Sequence, residues 1–214
     1  MVNLLRALGN IKMEIDSLES VKLSDLVKNK ENTVFVVVDM VKGFYNIGVF
    51  ASDRTEKVIQ PIVKLNKVLH GCKKVFFVDS HTKDSVEFKS YPEHCLKGTE
   101  EEEYVEEIKP DSNTVFIKKN SINGFHAPDF KKWLEKNKNI DTFIVTGVCT
   151  DICVETFAMT LKTYFNEMNE DKNIVVPINA VETSDFGNHD AELMNLITFF
   201  KLKSNGIQVV KEIL

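Results

Sequence analysis

The sequence predicts an α/β protein, with a mainly parallel sheet held between helices in a three-layer α/β/α arrangement. Two observations predict it. Apolar, β-branched runs of four to six residues alternate along the chain with segments of helical spacing. Strands covered on both faces read as such continuous runs, and their alternation with helices is the mark of parallel crossovers. The composition agrees: 43% hydrophobic and 28% charged in 214 residues, with nine Gly and five Pro, the balance of an ordinary folded domain rather than of a low-complexity or disordered chain.

Taken in order, residues 1–30 read as a polar-apolar helical arm ahead of a domain over 31–214, with Leu4, Leu5, Leu8, Ile11 and Ile15 on roughly one face. The arm suits packing over a sheet edge or against a second subunit. Thr33–Val38 is the first strand and runs into Asp39. Thr55–Leu69 is a helix with Val58, Ile62, Leu65 and Leu69 as its stripe. Val75–Val78 and Thr114–Ile117 are the next strands, running into Asp79 and into Lys118-Lys119. Between them, Ser80–Asn113 lacks periodicity and reads as a long excursion over the sheet, the kind of loop that usually carries function. Pro128–Lys136 is a helix with Pro at its start and Asp129 in its first turn. Thr142–Thr146 is the fourth strand, followed by a long helix over Asp151–Met168. Ile174–Pro177, a helix over Ala191–Phe200 and Ile207–Val210 complete the series.

Charge and cysteine usage exclude several classes. Lys and Arg total 27 against 32 Asp and Glu, a net charge of −5, which argues against nucleic acid as a partner because that affinity comes from cations on phosphate. The longest apolar run, Val34–Val38, is far too short for a bilayer, and Arg6 and Asn10 interrupt any secretory segment. The four cysteines, Cys72, Cys95, Cys149 and Cys153, form neither a disulfide framework nor a zinc-ribbon pair. The chain therefore reads as cytoplasmic, with reduced thiols.

Ligands of open parallel sheets bind at the carboxyl ends of the strands. Asp39, Asp79, Lys119 and Cys153 stand at or just past the first four strand ends, so this fold brings an acid, a cation and a thiol into one crevice. That is a set for covalent catalysis. Cys153 lies in Gly147-Val148-Cys149-Thr150-Asp151-Ile152-Cys153-Val154, a strand-to-helix turn with Thr150 or Asp151 as N-cap. The first turn of a helix favours a thiolate there, whereas Cys149 precedes the helix.

The excursion carries a second cluster. Asp79-Ser80-His81 is followed by Glu87 and by Tyr91-Pro92-Glu93-His94-Cys95. Two imidazoles and two carboxylates, Asp79, His81, Glu87 and His94, make a mixed donor set that suits zinc, iron or manganese better than magnesium. Cys95 adjoins a ligand, and neighbouring side chains rarely both turn onto one ion. The remaining groups read as structural: the acidic run Glu100–Glu103 as a solvated face, His189 as capping or bordering the last helix, His70 at a helix end, His126 as a loop residue after Phe125, and Trp133 in the core or at a subunit contact.

These motifs resemble those of the isochorismatase-like cysteine hydrolases, most of all the nicotinamidases, over residues 33–185. The G-V-x-T-D-x-C-V turn matches Gly147–Val154 and implies that Cys153 is the nucleophile. The strand-end Asp, the general base of the family, falls on Asp39, followed by the aromatic Phe44. The family Lys lies six residues before a Phe that is followed four residues later by Asp. Phe125 and Asp129 place it at Lys119, or at Lys118 if the register moves by one. Nicotinamidases resemble this chain further in D-x-H, a later His or Glu, and W-P-x-H-C-x-x-G-T, here Tyr91 to Thr99. The resemblance implies a Rossmann-like fold, Asp79, His81, Glu87 and His94 as ligands of a divalent metal, zinc first, and Phe44 and Tyr91 beside the substrate ring. It implies an oxyanion hole from the backbone of Cys149 and Cys153, with a cis peptide between Val148 and Cys149. It also implies hydrolysis of a small carboxamide, nicotinamide, in NAD salvage, by a homo-oligomer. The chain departs from the D-x-Q-x-D-F pattern, reading Asp39-Met40-Val41-Lys42-Gly43-Phe44, and has Tyr91 where Trp is usual. Both differences fall on the pocket rim.

Overall fold

The computed structural model describes residues 2–214. Met1, the first residue of the expected arm, lies outside the described residues. The strands are β1 (Thr33–Val38), β2 (Lys73–Asp79), β3 (Thr114–Lys119), β4 (Thr142–Val148), β5 (Asn173–Pro177), β6 (Val181–Glu182) and β7 (Gln208–Val210). They form one sheet in the order β3-β2-β1-β4-β5-β7, with β6 beside β4, and every pairing is parallel. The helices are α1 (Val2–Asp16), α2 (Leu23–Leu26), α3 (Lys42–Tyr45), α4 (Asp53–Val68), α5 (Pro128–Lys136), α6 (Glu155–Glu167) and α7 (Ala191–Ser204).

Two apolar layers sandwich the sheet, as the unbroken runs predict. Successive residues of β1 alternate between them: Val34, Val36 and Val38 pack with Phe130 of α5, Phe157 of α6 and Leu202 of α7. Phe35 and Val37 pack with Leu26 of α2, Phe44 of α3 and Ile62 of α4. Both faces of β1 are thereby dry, which is why all six of its residues are buried. Among the described residues no helix is long and apolar enough to cross a membrane.

The elements depart from the sequence reading in local ways. The arm is helical over Val2–Asp16, and Val21 then bridges Ile213 near the chain end. Of its apolar face, Ile15 enters the core while Leu4 and Leu5 remain exposed. The last helix runs on to Ser204, and the two-residue strand β6 is too short to leave a periodic signal. The excursion is present as expected, with short 3-10 turns at Val86–Lys89 and Glu100–Glu102.

Candidate active site

Four strand ends build the site. The register pairs Asp79, the last residue of β2, with Lys119, the last residue of β3, so their side chains emerge next to each other. Lys119 Nζ lies 2.7 Å from Asp79 Oδ1 and 2.8 Å from Asp39 Oδ2. Its third neighbour is Cys153 Sγ, at 3.8 Å. All four side chains are buried. Lys118, the alternative, points away to Glu102, so Lys119 is the lysine that meets Asp39, Asp79 and Cys153.

Backbone geometry aims these groups. Asp39 has φ +51°, a left-handed conformation that Asp tolerates better than most residues. Gly147 has φ +112°, and a Cβ there would come within 2.0 Å of the Val38 carbonyl oxygen, so β1 and β4 approach this closely because position 147 has no side chain. The expected cis peptide between Val148 and Cys149 is present. The turn that follows differs from the expected helix start: Thr150–Val154 is a π-helical turn leading into α6, with Cys149 at its capping position and no side-chain cap. Single π turns of this kind recur at functional sites.

The electrostatics follow from burial and from Lys119. Burial opposes the ammonium charge, but Asp39, Asp79 and Cys153 outweigh it and hold the Lys119 pKa well above its ordinary value. Burial raises the Asp39 carboxyl to about 6, with Lys119 the main opposing influence. Burial also pushes the Cys153 thiol well up, again against Lys119. Burial at Cys153 thus works against the thiolate that the start of the helix was expected to favour. Asp39 and Cys153 share Lys119 as their common neighbour.

Asp79 belongs to a second constellation. Asp79, His81 and His94 are buried, with donor atoms all within 4.8 Å of one another. His81 Nε2 and His94 Nε2 lie 3.0 and 3.2 Å from Asp79 Oδ2. His94 Nδ1 donates to the Pro92 carbonyl at 2.8 Å, and His81 Nδ1 lies 3.1 Å from Asn120 Oδ1, which also accepts from the Thr82 N–H. The outer nitrogen of each imidazole is thus held by the protein and both Nε2 atoms converge on Asp79, the second-sphere support typical of histidines that ligate a metal. The donor set fits a divalent ion of the zinc type. Burial pushes the Asp79 carboxyl up, but Lys119 and the imidazoles prevail and hold it well below the carboxylate range. Glu87 is less closely engaged than the sequence predicted. Its Oε1 is 3.7 Å from His81 Nε2, while Oε2 accepts from the Ile122 N–H at 2.9 Å.

The excursion holds these side chains by its backbone. The His81 N–H donates to the Cys95 carbonyl at 2.9 Å, and the Lys97 N–H to the His81 carbonyl at 2.8 Å. The acidic run, expected as a solvated face, is partly built into this support. Glu101 Oε2 accepts from the Cys95 N–H at 2.7 Å, and Glu102 accepts from Ser80 Oγ and the Gly98 N–H.

A cavity of about 280 Å³ opens over both constellations, walled by Phe44, Phe50, Tyr91, Ile122 and Phe186. Phe44 and Tyr91, the two aromatics singled out in the sequence, are both in its lining. Phe50 was not foreseen, yet its ring meets His94 edge-on at 4.9 Å and stacks on Phe44 at 6.2 Å; it lies outside every motif and left no periodic signal. His189, read as a helix border, instead lines the cavity and pairs with Asp151. Asp190 is the residue that caps α7. Trp133 stacks on Phe130 against the core, as expected.

The fold and the site together define a hydrolase. The isochorismatase domain family matches residues 33–204, and the chain belongs to that family. It is 31% identical over 220 residues to Nicotinamidase 1 of Arabidopsis thaliana, covering 88% of this chain and 89% of that protein. The structure of nicotinamidase PncA from Bacillus subtilis superimposes with a TM-score of 0.70 at 25% identity, over 84% of this chain and 99% of that one. N-carbamoylsarcosine amidase from Thermoplasma acidophilum does so with a TM-score of 0.68 at 26% identity, over 84% and 96%.

Proposed function

We propose that this enzyme hydrolyses nicotinamide to nicotinic acid and ammonia, with Asp39, Lys119 and Cys153 as its catalytic residues. One observation carries the reading: Asp79 joins a metal-ligating triad to the thiol site inside a single aromatic cavity. The nicotinamidase relatives support it. The second amidase likeness makes a carbamoyl substrate the competing reading.

Nicotinamide enters with its ring between Phe44, Phe50 and Tyr91. Asp79, His81 and His94 would hold a divalent ion, zinc by donor chemistry, which when bound supplies a Lewis-acid anchor for a ring nitrogen. Asp39 takes the Cys153 proton as Sγ forms a bond to the carboxamide carbon and the C=O π pair moves to oxygen. Lys119 stabilises the developing thiolate and holds Asp39 in line. The backbone N–H groups of Cys149 and Cys153 receive the oxyanion, each worth about 10²–10³ in rate. Asp39 then returns the proton to the departing nitrogen, the C–N bond breaks, and ammonia leaves a thioester. Water attacks the thioester with Asp39 as base, the C–S bond breaks, and Cys153 recovers its proton as nicotinic acid leaves.

Ammonia release from nicotinamide by the purified protein tests this. Cys153→Ala is expected to lower kcat by on the order of 10⁴-fold or more. Substantial turnover by that variant would remove Cys153 from the mechanism, and release from a carbamoyl amine but not from nicotinamide would favour the competing reading.

A further inference from the structure

The cavity has a wall that the hydrolytic mechanism does not use. Residues 183–190 run from β6 to α7, and their tip is a tight turn closed by two backbone hydrogen bonds between Phe186 and His189, at 3.0 and 2.8 Å. Gly187, at φ +55°, makes the turn. The base of this loop is tied to α7, where Asp185 accepts from the Ala191 N–H and Asp190 from the Leu193 N–H. Its tip meets the cavity through two side chains. Phe186 is 59% exposed, yet its ring packs edge-on against Phe50 at 5.8 Å, over the cavity mouth. His189 reaches inward to Asp151, with Nε2 at 2.7 Å from Oδ2, while Nδ1 lies 2.8 Å from the Ser184 carbonyl oxygen.

The two nitrogens of His189 thus both face acceptors. A neutral imidazole has one N–H to give, so satisfying both requires the imidazolium. Burial opposes that charge, but Asp151 and the Ser184 carbonyl together outweigh it and raise the His189 pKa. The contact is then a charge-assisted hydrogen bond, about twice as strong as a neutral one. Asp151 sits two residues before Cys153 on the π-helical turn, so the same bond ties the outer wall of the cavity to the element that carries the thiol.

We propose that His189 is a positioning residue that clasps the 183–190 loop to the Cys153 turn through Asp151, and that Phe186, held by this clasp, closes the mouth over the substrate ring and sets which ring substituents are accepted. The ring reading rests on the proposed nicotinamide hydrolysis; the clasp itself does not. With the clasp in place Phe186 stands against Phe50, and a substituent at the mouth side of the ring meets its edge. Without it, the loop keeps its anchors on α7 while the tip moves away from the mouth.

Steady-state kinetics with nicotinamide and with its 5-methyl and 6-methyl derivatives, on wild type, Phe186→Ala, His189→Gln and the double variant, test the proposal. His189→Gln keeps the side-chain volume and loses the cation. The expected result is a KM for nicotinamide raised about ten-fold with kcat within about two-fold, because the loss falls on binding rather than on the chemical step. The preference of the wild type for nicotinamide over its methyl derivatives should narrow to the same extent in both single variants, with no further change in the double. Unchanged selectivity in His189→Gln, or effects that add in the double variant, would overturn the proposal. Hydrogen exchange gives a readout independent of turnover: the amides of 184–189 should exchange faster in His189→Gln than in wild type, and equal protection would refute the clasp. A wild type inert toward nicotinamide would count against the proposed substrate, while the exchange result would still decide whether the clasp exists.

Discussion

Lys119 and Asp79 join the two halves of the site: the ammonium lies 2.7 Å from Asp79 Oδ1, and the other oxygen of the same carboxylate faces both imidazoles. One buried side chain therefore serves the thiol side and the metal side at once. Asp79→Asn is expected to damage both, lowering bound metal and also kcat, because Lys119 loses one of its two carboxylate partners. Asn120→Ala removes the nearer partner of His81 Nδ1 and the acceptor of the Thr82 N–H, leaving Ser85 Oγ at 3.3 Å from Nδ1, and should weaken metal affinity by about 10–100-fold while sparing kcat at saturating metal. Metal titration beside kinetics separates the two. Equal kcat loss in both variants would mean that Asp79 acts solely through the metal.

The pH dependence follows from Asp39, whose carboxyl burial raises to about 6. As the proton acceptor it works in its ionised form, which is depleted as pH falls. kcat/KM should therefore decline on the acid side with a midpoint near 6, rather than near the ordinary carboxylate value of about 4. Lys119 is the main influence opposing the rise, so Lys119→Met should move the acid limb to higher pH as well as reduce the rate. A profile flat down to pH 5 would contradict the assignment of Asp39 as base.

Gly147 carries the close contact of β1 with β4, the strands whose ends bear Asp39 and Cys149. Gly147→Ala sets a Cβ against the Val38 backbone at a φ that L-residues avoid. A loss of about 3 kcal/mol or more is expected, since neither backbone can yield cheaply. Denaturant unfolding reads it, and a variant as stable as wild type would show that the strands can separate at that point without penalty.

The layers and the strand ends were legible because they rest on short-range pattern: continuous β-branched runs mark the sheet, and Asp39, Asp79 and Lys119 inherit their placement from it. Lys119 and Lys118 stayed alternatives in the sequence, and it is the structure that turns 119 to Asp39 and 118 to Glu102. What escaped depends on long-range packing. Phe50 and Phe186 reach the cavity from loops without periodicity, and His189 meets an Asp151 that lies 38 residues away in sequence. The thiolate expectation lacked a long-range contribution of the same kind: an N-terminal turn promises a field, whereas desolvation at Cys153 is set by what the rest of the chain packs around it.

The acidic run offers a sharp contrast between neighbours. Glu101 reaches into the protein, where its Oε2 accepts from the N–H of Cys95, a residue held at φ +45° directly after His94. Glu100 meets Lys42 at the surface, with its own side chain 62% exposed. Glu101→Ala leaves the Cys95 N–H without its acceptor, at a cost of about 1–3 kcal/mol, and frees the turn that aims His94 inward. Glu100→Ala removes a solvent-exposed ion pair, which contributes about 0–1 kcal/mol. Thermal unfolding with and without added zinc should show Glu101→Ala destabilised and its gain from zinc reduced, while Glu100→Ala tracks wild type on both counts. If the two variants behave alike, the carboxylate at 101 does not hold the turn of His94.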